Sequence, residues 1–124
     1  MAQNTLEHIN EEIREKVVVL HELSAEARKE KSDLHSNTSV HLIKWESAVC
    51  MDIIRKLDLL PQTSTNQNAR DAFENRYDYM EVVLHQIGNC RSNTCPQNMI
   101  SALNLVVSEI ASEEHQQELD QLLK

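Results

Sequence analysis

The chain has 124 residues, 40% of them hydrophobic and 26% charged, which suits one globular domain spanning 1–124 and excludes a disordered chain as the default reading. Its single glycine and two prolines are too few for the many turns of a strand-rich fold. The net charge of −8 argues against a general nucleic-acid binder and against an anionic membrane surface, and favours a basic partner.

The first helix is expected near Asn4, a good N-cap, with Glu7 completing a capping box. Leu6, Ile9, Ile13, Val17, Leu20, Leu23 and Ala27 then recur at steps of three and four and line one helical face. The β-branched run Val17–Val19 weakens local helix propensity, and the stripe is expected to override it. The helix should fade over Arg28–Lys31, whose cations suit the negative end of the dipole.

Ser32 to Thr38 reads as a connection, followed by a second helix with Leu42, Trp45, Val49, Ile53, Leu57 and Leu60 on its apolar face. Ile43, Cys50 and Ile54 widen that stripe, which implies burial against more than one neighbour. Trp45 is expected in the core, with an exposed binding anchor as the other reading. Pro61 stops the helix, because the residue before a proline is pushed out of the α region.

Pro61–Asn68 is the clearest loop, and Asn68 is expected to cap the third helix, with Asp71 in its first turn. Ala69, Phe73, Tyr77, Met80, Leu84 and Ile87 form its stripe. Gly88 then falls where a left-handed C-cap would use it. Pro96 suits the start of a fourth helix carrying Met99, Leu103, Val106, Val107 and Ile110. Residues 112–118 lack a large apolar side chain before Leu119, Leu122 and Leu123. Ser112 could cap a separate short helix there; continuity of one long helix is the expectation. Four stripes with three connections of about six to eight residues predict an all-α, antiparallel (up-down) four-helix bundle.

Chemical constellations are sparse. One glycine rules out phosphate-cradling loops. No Glu lies three residues before any histidine, so the paired Glu-x-x-His ligands of a di-iron bundle are missing. His85, Cys90 and Cys95 could meet at one turn, but no fourth zinc ligand is evident. No buried carboxylate or histidine pair is expected inside the stripes. The reading is therefore no enzyme, no cofactor and no metal. The odd count of three cysteines, together with a polar N-terminus, favours a reducing compartment, cytoplasmic or nuclear.

The most distinctive surface feature is the run Asp71, Glu74, Asp78 and Glu81, which stacks four carboxylates on one helical face. It reads either as a solvated face or as a partner-binding strip for a basic surface. The expected function is a non-enzymatic protein–protein interaction module: an adaptor, assembly subunit or regulator. The competing class is a bundle binding a small ligand between its helices.

Leu57-Asp58 closing one helix, a polar loop, and Ala69-Arg70 early in the next carry a resemblance. The stretch from Trp45 to Gln86 resembles the BAG domain, the module by which some co-chaperones bind the Hsp70 ATPase domain. The resemblance implies a co-chaperone with Asp58 and Arg70 facing the chaperone. The chain departs from that pattern at Ala48, where the family has an acidic residue, and in the acidic rather than basic first turns of the following helix.

Overall fold

The computed structural model describes residues 2–30, 36–89 and 96–122. Their regular structure is entirely helical: α1 (Ala2–Glu30), α2 (Ser36–Leu57), α3 (Ser64–Asn89), α4 (Pro96–Ala111) and α5 (Glu113–Leu122). No helix among the described residues is long and apolar enough to cross a membrane. Cys90 and Cys95 lie outside the described residues, as does the packing of the Met99 and Leu103 side chains.

The apolar stripes meet in one core. Ile9, Ile13, Leu20, Leu23 and Ala27 of α1 are buried with Leu42, Ile43, Val49, Cys50, Ile53, Ile54 and Leu57 of α2. From α3 come Ala69, Phe73, Met80 and Val83; from α4 and α5 come Val106, Val107, Ile110 and Leu119. α2 is the central element, packed most extensively on α3 and also on α1 and α4. That accounts for its broad stripe, since each neighbour needs its own row of side chains. α1 packs on α4 as well, and α5 rests on α3, α1 and α4.

Helix ends depart from expectation in five places, the first being α2, which begins at Ser36 inside the expected connection Ser32 to Thr38. α1 begins at Ala2, so Asn4 is already helical. α3 begins at Ser64, four residues before Asn68, because Thr63 is its cap: the Asn66 N–H donates to Thr63 Oγ1 at 3.1 Å and the Gln67 N–H to the Thr63 carbonyl at 2.9 Å. α3 then runs through Gly88 to Asn89, and no glycine among the described residues has a positive φ, so Gly88 is not a left-handed cap. The last helix is broken rather than continuous. The Ser112 N–H donates to the Glu109 carbonyl at 3.1 Å, ending α4, while Ser112 Oγ accepts from the His115 N–H at 3.3 Å, opening α5.

Arg28 secures that break from outside. Its Nε donates to the Ala111 carbonyl at 3.0 Å and its Nη2 lies 3.7 Å from Glu113. A cation at the carbonyl end of α4 complements the dipole there. α2 ends as the sequence implies: its last turn tightens, with the Leu60 N–H donating to the Leu57 carbonyl at 3.1 Å just before Pro61.

Candidate functional site

Two regions combine unusual chemistry with defined geometry: a buried ion pair in the core and the surface seam between α1 and α2.

The ion pair was not expected. Glu46 is 0% exposed and Arg76 only 8%. Arg76 donates from Nε and Nη2 to Glu46 Oε2, at 2.8 and 2.5 Å, joining α2 to α3. Burial pushes the Glu46 carboxyl upward, and the Arg76 guanidinium opposes that shift. Glu46 Oε1 and Arg76 Nη1 have no hydrogen-bond partner among the described residues. Neither do the side-chain amide atoms of Gln116 on α5, which is 2% exposed. Burial, reinforced by Glu46, pushes the nearby Cys50 thiol up to about 12. A thiol held in that state is not a nucleophile at neutral pH. The cluster joins α2 to α3 and offers no reacting atom to solvent.

Its positions were legible. Glu46 lies four residues after Leu42 and four before Cys50; Arg76 lies three after Phe73 and four before Met80. Both occupy stripe positions. Charge type disguised them, since charged residues are rarely buried unless paired.

Trp45 moves the opposite way. It is 60% exposed, not in the core. The centre of the α2 face is set by α1, α3 and α4 together, and Glu46, about 100° further round the helix, takes the inward slot. Trp45 stands at the edge of an open groove of about 610 Å³ between α1 and α2, with Val19, Leu23, Ala25 and Leu42 supplying its apolar lining. Glu22, Glu26 and His41 supply the remaining polar lining. Further along the same seam the helices are bridged by ions: Glu12–Lys56 at 3.1 Å and Lys16–Asp52 at 3.4 Å. Lys56 holds the Glu12 carboxyl below its usual range, chiefly through their hydrogen bond.

The acidic run on α3 is divided. Asp71 and Asp78 are exposed, and neither has an ion-pair partner among the described residues. Glu74 is taken by Arg70 of its own helix, which also bonds Asp58 at 2.5 Å. Asp58 and Arg70, the two residues of the BAG resemblance, are thus paired with each other at the α2–α3 turn. Glu81 turns toward α2, accepting from Ser47 Oγ at 3.2 Å. A hydrogen bond to Glu81 also holds the Tyr77 hydroxyl above its ordinary range. His85 lines an open α2–α3 groove with Lys44, Arg55 and Glu81, among others. Among the described residues no group of three histidines, cysteines or carboxylates is placed to hold a metal ion.

No protein-family model matches this chain, nor does any curated protein or solved structure.

Proposed function

We propose that the chain is a non-enzymatic protein–protein interaction module, an adaptor, assembly subunit or regulator that binds partners through its helix faces. In this reading residues 1–124 form one domain, an up-down four-helix bundle extended by α5. Support for that topology comes from the ion-pair rungs on the first two helices, which step forward along α1 and backward along α2. A cytoplasmic or nuclear setting, where thiols such as Cys50 stay reduced, fits the reading.

The observation that carries it is Trp45. An indole 60% exposed beside an apolar groove is costly to leave in water, and tryptophan is enriched among the residues that dominate binding energy. The exposed carboxylates Asp71 and Asp78 of the acidic run Asp71, Glu74, Asp78, Glu81 form a second surface, suited to steering a basic partner.

A small-ligand reading has one observation in its favour, the α2–α3 groove with Lys44, Arg55 and His85 beside Asp52 and Glu81. That groove is wide open to solvent, whereas ligand pockets enclose most of their ligand.

Affinity capture with the wild-type chain and Trp45→Ala, followed by reconstitution with the purified captured protein, tests the module reading. The variant should keep its thermal midpoint, because the side chain is largely outside the core, and should weaken the reconstituted complex by about 2 kcal/mol or more. A reconstituted complex indifferent to Trp45 would remove the groove from the interface.

A further inference from the structure

We propose that the α1–α2 groove receives an amphipathic helix from a partner protein, with its apolar ridge against Trp45 and a lysine or arginine row against Glu22 and Glu26. This rests on the module reading and names the partner's chemistry.

The seam between α1 and α2 has two halves. In one, Glu12–Lys56 and Lys16–Asp52 bridge the helices beside a polar groove lined also by His8, Glu11 and Glu15. In the other, no ion pair bridges the two helices among the described residues, and Val19, Leu23, Leu42 and Trp45 leave an apolar trough. Val18, four residues before Glu22 and 55% exposed, extends the apolar surface on the α1 side.

The trough selects a helix over an extended chain. An extended segment carries unpaired backbone N–H and C=O groups, which need a strand edge to satisfy them. The described residues of this chain contain no strand, so an extended segment laid in the trough would desolvate its backbone without compensation. A helix satisfies its backbone internally and presents only side chains. The α1 lining runs from Val19 to Glu26, about 10 Å of helix axis, which matches two turns of a docked helix.

The charges select its sign. The groove lining holds the carboxylates Glu22 and Glu26, with His41, and no lysine or arginine. They stand one turn apart, so two cations four residues apart on the incoming helix reach both. Glu26 also lies 3.6 Å from Lys29, an exposed pair that competes weakly for it. A cation over the face of Trp45 gains a further attraction from the ring. A second copy of this chain, at net charge −8, is repelled by the same rim.

Trp45 is the only tryptophan, so its emission reports this groove alone. The full chain is titrated with three synthetic peptides of about 18 residues, long enough for two docked turns and their flanks. One is a Leu/Lys amphipathic helix, the second its Leu/Glu twin with the same apolar face, and the third a scrambled Leu/Lys sequence. The Leu/Lys helix should shift Trp45 emission to the blue and bind roughly tenfold or more tighter than either control. Glu22→Gln with Glu26→Gln should abolish that preference, while Asp71→Asn with Asp78→Asn should leave it. Equal binding of the Leu/Glu twin would overturn the basic partner while keeping the groove as a docking site. Loss of binding in the Asp71/Asp78 variant alone would overturn the groove in favour of α3. No emission shift with any peptide would overturn the proposal outright, and the module reading would still stand or fall on the reconstituted complex.

Discussion

Glu46 and Trp45 are neighbours in sequence with opposite fates. The charged residue is buried and the largest apolar one is exposed. The exchange is tolerable because Arg76 arrives from α3 to pair Glu46, and because an indole at a helix edge keeps part of its body against neighbours. A buried ion pair gains little net stability over apolar side chains of similar volume, yet leaving one partner alone is severe. Glu46→Gln should therefore cost about 3–5 kcal/mol by stranding the Arg76 guanidinium. Replacing both, as Glu46→Leu with Arg76→Met, should recover most of that loss and could exceed the wild type by about 1–4 kcal/mol. Urea midpoints for the two singles and the double give the coupling directly. Additive losses would mean that the pair does not act as a unit.

At the scale of the element, local chemistry decides where each helix begins and ends. Thr63 and Asn68 are both capping types separated by five residues, and either could open α3. The earlier one does so because Leu60 is buried and fixes the chain immediately before Pro61, and Thr63 is then the first residue free to turn its hydroxyl onto the new helix. Thr63→Ala should lower stability by about 1 kcal/mol, whereas Asn68→Ala, on an exposed position inside α3, should stay within about 0.5 kcal/mol of wild type. Thermal denaturation of the two variants separates the alternatives: a larger loss at Asn68 would move the cap to where the loop composition pointed. The α4–α5 break follows the same logic. Ser112 both ends one helix and caps the next, and Arg28 supplies the cation that α4 lacks in its own last turn.

At the scale of the whole molecule, α5 is the smallest apolar contributor. It is tied down by Leu119, by the Arg28 contacts, and by Asp120 with both carboxylate oxygens 3.0 Å from His21 Nε2. His115 sits on this helix, 4.0 Å from Glu118, and burial with the nearby Arg76 charge lowers its proton affinity from the ordinary value of 6.5. As pH falls through 6.5, the unfolded chain takes up this proton before the folded chain does. The His115 contribution to stability is therefore complete above 6.5 and is lost as pH falls. Burial pushes Glu46 the other way, so its contribution has the opposite pH slope. The quantity to read is therefore the difference between wild type and His115→Gln. Between about pH 7.5 and pH 5.5 the urea midpoint of wild type should drop further than that of the variant. Parallel midpoints would show that His115 keeps its ordinary proton affinity in the folded chain.

The sequence by itself determined the helical class, most apolar members of the core and the helix termini beside the two prolines. Periodic apolar spacing at Leu20, Leu23, Ile53, Phe73 and Ile110 is a local property of the chain, and every one of these is buried. Pro61 and Pro96 act through their own geometry and needed no partner to be read. The acidic spacing on α3 was equally plain, but not its division, because the groups that engage Glu74 and Glu81 include Ser47 on another helix. Tertiary structure alone decided that Glu46 turns inward and Trp45 outward. A stripe spanning Leu42 to Leu57 has several possible centres, and only the positions of α1, α3 and α4 around α2 choose among them. The same packing opens the trough beside Trp45, since a groove between two helices belongs to neither sequence segment alone.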